Sequence, residues 1–291
     1  MKLLLKFNLL LVTLVAIAFA IVSSIAHSFL IDNARDQVLQ QAELMMTSAS
    51  STRKYTTDEL KPLLLRTMAR DHTFLPQIVP AYGATTTFNH LRKSFPEYTY
   101  KEATLNPTNL QDRASDWESD VIQSFRNNPA QKELIGQRMT PTGTSLYVAH
   151  PIAAGQSCLE CHSTPAAAPK TMIDKYGSAN GFGWNLNEIV AAQIVSVPME
   201  LPVSIATKAF RTLMIALSAT FLAILLAVDL VLYFLILKPV RRLSAVADRV
   251  SLGQLDDAEL PVRGKDEMAQ LTASFNRLFV TVTKALRMLD S

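Results

Sequence analysis

The longest charge-free stretch of this 291-residue chain is residues 7–31, which read FNLLLVTLVAIAFAIVSSIAHSFLI. An α-helix rises about 1.5 Å per residue, so roughly 20 apolar residues cross the hydrocarbon core of a bilayer. A second charge-free stretch covers residues 212–228, and Asp229 separates it from eight more uncharged residues. Both stretches predict transmembrane helices.

Two features of these stretches leave alternatives open. Residues 24–26 (Ser-Ile-Ala) resemble a signal-peptide cleavage site, but a signal-peptide apolar core spans only roughly 7–15 residues, which favours an uncleaved span. Asp229 either contacts another helix or the headgroup region, or serves as a proton or ion site. The first interpretation is favoured, because neither stretch holds a second acidic or basic residue.

Flanking charges predict the orientation in the inner membrane. Lys2 and Lys6 precede the first stretch, and a basic cluster that begins at Lys238 follows the second. Because positive charge stays on the cytoplasmic side, both termini are expected in the cytoplasm. The predicted segments are a transmembrane helix in residues 1–31, a periplasmic domain in residues 32–209, a second transmembrane helix in residues 210–237 and a cytoplasmic tail in residues 238–291.

The overall composition excludes several classes of protein. Charged residues make up 18% of the chain, against roughly 25% in ordinary soluble domains. The net charge of +3 is too small to indicate a nucleic-acid binder, and the 49% hydrophobic content excludes a disordered chain. Two cysteines are too few for a disulfide-stapled scaffold.

Both cysteines lie in the pentapeptide Cys158-Leu159-Glu160-Cys161-His162. C-x-x-C-H is the pattern of covalent c-type haem attachment, in which two thiols add to the porphyrin vinyl groups and the histidine reaches the iron. A redox dithiol, a structural disulfide and half a zinc site are the competing interpretations. A redox dithiol would open a helix in a βαβ unit, and a zinc site would need a second Cys/His pair. We therefore predict one covalent haem c on Cys158 and Cys161, with His162 as an axial iron ligand.

The sixth iron ligand is left open by these residues. A third cysteine does not exist in the chain, and an open, gas-binding position is one of the options. The candidate side chains outside the predicted spans are His72, His90, His150, Met45, Met46, Met68, Met139, Met172 and Met199.

The segment between the spans is predicted to be an α+β domain, with helices first and strands later. Residues 32–55 continue the first helix outward, and capping boxes at Thr56 and Ser115 predict helices to about Arg70 and Asn127. The other predicted elements are a helix in residues 81–95 and strands in residues 98–104, 145–153 and 188–197.

Several stretches of this domain are distinctive as sequence. They are RKYT (53–56), FLPQIVPAY (74–82), YKEATLNPTN (100–109), SCLECH (157–162) and NGFGW (180–184). Together they resemble a family of haem-c-binding, PAS-like sensor domains of cyanobacteria and proteobacteria. The resemblance covers about residues 40–200. It implies a PAS-like antiparallel sheet flanked by helices, carrying one covalent haem that senses redox state or a small ligand.

The same resemblance bears on the haem pocket. Part of the family has a cysteine axial ligand from the first long helix, and this chain has no cysteine there. If the ligand still comes from that helix, Met45 or Met46 replaces it, and we choose Met46. Arg53 and Tyr55 are expected to border the pocket. His/Met ligation would raise the reduction potential relative to a thiolate.

The tail predicts two amphipathic helices joined by an extended connector. The first carries Leu243, Val246 and Val250 on one face and ends at Gly253. The connector holds Leu255, Leu260 and Val262, and the acidic pair Asp266-Glu267 precedes a heptad seam of Met268, Leu271, Phe275, Leu278, Val282, Ala285 and Leu289. This pattern resembles a HAMP domain, which implies a dimeric, parallel four-helix coiled coil. Two surface amphipathic helices are the alternative.

We therefore predict a dimeric, membrane-anchored c-type haem sensor that signals to a separate output protein. No nucleophile–base pair or Gly-rich nucleotide loop indicates an enzyme. The alternative is a membrane-bound monohaem cytochrome that transfers electrons to or from a respiratory or photosynthetic partner. A structural haem protein in a larger membrane complex is a third interpretation.

Overall fold

The computed structural model describes residues 2–252 and 260–289. They form two compact units, one of residues 18–211 and one of the described parts of residues 1–17 and 212–291. The helices are α1 (Lys2–Tyr55), α2 (Lys61–Asp71), α3 (Pro80–Leu91), α4 (Asp116–Asn127), α5 (Gln156–His162), α6 (Lys170–Tyr176), α7 (Glu200–Leu232), α8 (Lys238–Ser251) and α9 (Glu267–Leu289). The strands are β1 (Thr99–Thr104), β2 (Leu134–Thr140), β3 (Gly143–Ala153) and β4 (Ile189–Pro198).

The first helix extends well beyond the length of a membrane span. Helix α1 runs without a break to Tyr55, as predicted, and one π-helical turn (Thr56–Leu60) joins it to α2. The capping box predicted at Thr56 is wrong. Thr56 is buried, and its hydroxyl donates a hydrogen bond to the Thr52 carbonyl. A hydroxyl satisfied one turn back along the helix does not cap a new one, so the helix continues.

The sheet has four antiparallel strands in the order β1-β4-β3-β2. The predicted strands correspond to β1, β3 and β4, whereas β2 was not predicted. Its residues alternate between half-buried and exposed, it lies at an edge, and Gly136 interrupts its apolar pattern. A Cβ atom at position 136 would lie 2.5 Å from the ring of Tyr147, its cross-strand partner, so that ring would have to shift.

The two faces of the sheet are covered by different helices. One face forms a buried cluster with α1 and α3, and its members are Val38, Ala42, Met46, Ala49, Ala84, Phe88, Tyr100, Leu146, Val148, Val195, Val197 and Met199. The other face packs on α4, whose predicted capping box is confirmed by reciprocal contacts between Ser115 and Glu118. Helix α3 ends at Leu91, four residues earlier than predicted. Helix α1, which contains the first apolar stretch, therefore packs directly on the sheet through its later turns.

Two helical stretches are long and apolar enough to cross a membrane among the described residues. They cover residues 5–71 and 200–251, with mean hydropathies of 2.7 and 2.6 in their most apolar windows. The charge-free stretches of residues 7–31 and 212–228 fall inside them, while the exact segment boundaries remain predictions. Asn8 donates a hydrogen bond of 3.0 Å to the Asp229 carboxyl group. The helix–helix contact favoured for Asp229 is thereby confirmed.

The tail contains the two expected amphipathic helices. In α8, Leu243 and Val246 are buried, and Asp266 caps α9 by accepting from the Ala269 amide at 2.9 Å. Asn276 holds the end of the connector through both backbone groups of Leu260. The predictions for Gly253 and Leu255, and for the side chains of Ala285 and Leu289, lie outside the described residues.

A pH dependence of stability is expected from Asp112, which lies on a half-buried turn between β1 and α4. Burial, and next the charge of Glu102, raise the pKa of Asp112 to about 6. The native state then binds more protons than the unfolded state between about pH 4 and pH 6, so stability is lost as pH rises through that window. Asp112→Asn mimics the neutral form. Its thermal midpoint relative to wild type should rise from about pH 4.5 to pH 7; an equal difference at both values contradicts the assignment.

Candidate cofactor site

The cysteine motif forms a short helix that is fixed at both ends. Cys158, Cys161 and His162 lie on α5 at spacings of three and four residues, which places them on one face. Before the helix, the Ala154 amide donates to Glu188 and its carbonyl accepts from Asn187, both at 2.8 Å. At the other end, the amides of Gly183 and Trp184 donate to the carbonyls of residues 163 and 162. Backbone bonds therefore hold α5 against the start of β4.

His162 is oriented through its Nδ1 atom. Nδ1 lies 2.7 Å from the carbonyl oxygen of Gly181 and 3.4 Å from the Thr108 hydroxyl. Because a carbonyl can only accept, the proton of a neutral imidazole sits on Nδ1, and the Nε2 lone pair stays available to bind a metal. Burial lowers the pKa of His162, although the bond to Gly181 opposes this. The site therefore favours the neutral imidazole that metal ligation needs.

The His162 ring is also held by stacking and by a glycine-rich loop. It stacks on Trp184, with ring centroids 4.2 Å apart and planes inclined by 17°. Asn106 accepts from the Gly181 amide at 3.0 Å and donates to the Phe182 carbonyl at 3.1 Å. Sequence reasoning gave none of these partners a role. Glycines at positions 181 and 183 beside a tryptophan were the available signal.

The two cysteines are free, half-buried thiols that face different apolar clusters. Cys158 packs with Ala154, Val190, Ala191, Ile152 and Trp184. Cys161 packs against the cluster of Phe74, Ile78 and Met172, which Met68, Val79, Tyr176 and Phe182 also join. Burial, and next the charge of Glu160, raise the pKa of the Cys161 thiol, although Lys61 opposes this. An apolar setting on both sides suits thioether bonds to a flat hydrophobic macrocycle.

The geometry argues against the competing interpretations of the motif. In the described ranges, no group of three or more His, Cys, Asp or Glu side chains is placed to hold a metal ion. A zinc site of the usual four ligands therefore has no support. A thioredoxin-like dithiol opens a helix in a βαβ unit, whereas α5 lies between β3 and β4, which pair antiparallel.

The other predicted pocket residues lie at different distances from the motif. Arg53 forms a half-buried ion pair with Glu102, whose other oxygen accepts from Tyr100 at 2.7 Å. Burial lowers the pKa of the Arg53 guanidinium, but its ion pair with Glu102 outweighs this and raises it. Tyr55 is 50% exposed. Arg53 thus joins α1 to β1, and the described contacts connect neither Arg53 nor Tyr55 directly to the cysteine motif.

Met46 lies apart from the cysteine motif in the packing of the domain. It is 2% exposed and belongs to the cluster between α1, α3 and the sheet, which contains neither cysteine. Met68, on α2, and Met172, on α6, pack with Cys161 instead. The assignment of Met46 as sixth ligand remains a prediction. Met68, which packs with Cys161, is the alternative methionine ligand.

Replacement by leucine separates these two methionines. Met46→Leu and Met68→Leu each remove the sulfur and keep the volume, at a cost below about 1.5 kcal/mol. If Met46 is the sixth ligand, only Met46→Leu changes the absorption spectrum of the purified, haem-loaded protein. An unchanged Met46→Leu spectrum removes the assignment, and a change confined to Met68→Leu transfers it to that residue.

Gly181 is expected to tolerate no side chain. Its φ is +85°, and a Cβ atom would lie 2.0 Å from the Thr108 hydroxyl and 2.9 Å from the Thr108 Cα atom. Gly181→Ala should therefore destabilise the domain by more than about 1 kcal/mol and displace the carbonyl that orients His162. Thermal unfolding and the haem spectrum measure both effects. Gly155→Ala is the control, because its Cβ would have no neighbour within 4 Å.

An α+β domain that continues through helices into two membrane-length apolar stretches, with an amphipathic helical tail, has the architecture of a two-pass membrane sensor. The chain belongs to the Tll0287-like family, whose model matches residues 31–198. The HAMP domain model matches residues 231–283. The resemblance and the α+β fold class followed by HAMP are confirmed, and neither matching model is a catalytic domain.

Two individual proteins are similar to parts of the chain. The sensor histidine kinase MtrB of Mycolicibacterium paratuberculosis (strain ATCC BAA-968 / K-10) is 34% identical over 80 residues, which are 28% of this chain and 14% of that protein. The chain thus spans a small part of that relative's length. The crystal structure of the cyanobacterial haem protein Tll0287 is 12% identical, covers 55% of this chain and 94% of its own, and has a TM-score of 0.42.

Proposed function

We propose that this protein is a membrane sensor whose outer domain carries one covalent haem c. The observation that carries the proposal is the His162 geometry: Nδ1 is bound by Gly181, so Nε2 is free to bind iron beside two half-buried thiols. Cys158 and Cys161 would form the thioether bonds, and His162 would be one axial ligand. When bound, the haem supplies an iron centre whose redox or ligation state responds to the periplasm.

The residues around the motif offer two routes toward the membrane. Cys158 packs on Val190 and Ala191 of β4, and β4 leads through residues 198 and 199 into α7. Glu160 of the motif pairs with Lys61 of α2 at 3.7 Å, and α2 continues α1, which packs on the sheet, through one π-helical turn. A shift of α5 would therefore act on both helices that continue into the apolar stretches. In this account, the equilibrium between two arrangements of these helices is the signal.

The tail would receive this signal as a dimer. The face of α9 exposes Leu271 and Leu278 by 51% and 62%, and these are members of the heptad seam. Burying such a seam against a second copy is how parallel coiled coils form. The output would be a separate cytoplasmic signalling protein. The basic residues beside both spans support a tail in the cytoplasm and a haem domain in the periplasm of an inner-membrane protein.

Absorption spectroscopy of the purified chain tests the proposal. We expect a haem spectrum that survives acid–acetone extraction and changes on reduction. A sensor changes its helix packing, or its partner's activity, when the haem is reduced or binds CO or NO. The alternative, an electron-transfer cytochrome, should stay six-coordinate with both gases. Absence of covalent haem in cells that mature c-type cytochromes would refute the proposal.

A further inference from the structure

One polar contact lies within the two apolar stretches and has no part in the outer domain. Asn8 of α1 donates through Nδ2 to Oδ2 of Asp229 on α7, at 3.0 Å. Both residues belong to the same compact unit. Asp229 is the one charged residue between Thr212 and Leu237. Polar side chains in membrane helices are costly unless they are paired, so this contact lowers the cost of placing both residues there.

The other oxygen of each side chain makes the contact unusual. Oδ1 of Asn8 and Oδ1 of Asp229 are both buried, and neither has a hydrogen-bond partner among the described residues. Because both atoms are enclosed, they are inaccessible to a neighbouring protein as well as to solvent. Each Oδ1 atom therefore lacks a donor, and a carboxylate at position 229 has no hydrogen to donate to Oδ1 of Asn8.

We propose that Asn8 and Asp229 form an interhelical latch that fixes the resting register of the two membrane helices. In hydrocarbon, a hydrogen bond between helices has few competing partners. Displacement of α7 relative to α1, by translation or rotation, separates the two side chains. The latch thus sets how readily the second span moves. Its role in signalling rests on the proposed function.

The missing donor gives the latch a chemical signature. Asp229→Asn supplies an amide that can donate to Oδ1 of Asn8 while still accepting from Nδ2, so two hydrogen bonds replace one. The exchange variant, Asn8→Asp with Asp229→Asn, keeps one acid and one amide in contact. Asp229→Leu and Asn8→Leu each remove the pair. A proton or ion site would instead require the carboxyl group and would fail in Asp229→Asn.

Pulsed EPR on the full-length protein in lipid nanodiscs measures the register. Nitroxide labels on Thr13→Cys and Ser218→Cys, one on each apolar stretch, report the distance between the helices, and dilution with unlabelled chains removes signals between copies. Wild type, Asp229→Asn and the exchange variant should give one narrow distance distribution. The leucine variants should populate a second register about 3- to 20-fold more than wild type, the range for hydrogen bonds between membrane helices.

An Asn8→Leu distribution identical to wild type would overturn the latch, and so would an Asp229→Asn distribution as broad as that of Asp229→Leu. The same samples are measured with oxidised and reduced haem. A latch that holds while no variant responds to reduction would refute the proposed sensing function alone. Redox-dependent distances without any effect of the leucine variants would refute the latch alone.

Discussion

Cys158→Ala combined with Cys161→Ala should abolish covalent attachment of haem. The two thiols are the only cysteines of the chain, and each thioether bond requires one of them. A haem stain of the denatured, electrophoresed protein should fall from full intensity to background. The single variants should keep partial attachment through the remaining bond.

Conservative replacements and a surface control separate loss of the thiols from misfolding. Cys158→Ser and Cys161→Ser keep the size of the side chains, and Met139→Ala removes a residue that is 77% exposed on β2. Only variants that replace both cysteines should lose the stain completely. A double cysteine variant that still carries haem through denaturation would place the attachment elsewhere and refute the site.

His162→Ala should leave attachment intact and change the iron coordination. The imidazole is oriented by Gly181 and Trp184, and no other histidine shares those contacts in the described part of the chain. The reduced spectrum should lose its low-spin bands, and added imidazole should restore them by filling the vacated position. Most of the change in the absorption spectrum on reduction should disappear with these bands.

The matched control is His150→Ala. His150 lies on β3, pairs with Glu133 at 3.0 Å and is partly exposed, so its loss should leave the spectrum unchanged. If His162→Ala retains the wild-type spectrum, the axial ligand is another residue and the orienting bond to Gly181 has no role in iron binding.

Much of this architecture could be predicted because its signals are local. The 25 uncharged residues of the first span, the capping box at Ser115 and the C-x-x-C-H spacing each depend on a few neighbours in sequence. The cysteine motif in particular predicts covalent haem attachment from five consecutive residues. Local patterns failed at Thr56, where burial of the hydroxyl by tertiary packing kept the helix continuous.

The contacts that orient the site could not be predicted, because they join distant parts of the chain. Gly181 meets His162 across 19 residues, and Asn106 meets Gly181 across 75. A backbone carbonyl gives no sequence signal for what it will bind. The same reason applies to Asn8, which lies 221 residues from Asp229. The sequence therefore predicts the candidate side chains of the site, whereas the partners that orient them appear only in the fold.

The most direct test of the sensing account is a distance measurement across the proposed dimer of the tail. A nitroxide on Ser274→Cys, which is exposed on α9, reports the separation of the paired helices in nanodiscs with the haem oxidised and then reduced. We expect the distance distribution to shift on reduction in wild type and to stay fixed in His162→Ala. Identical distributions in the two redox states of wild type would contradict the account.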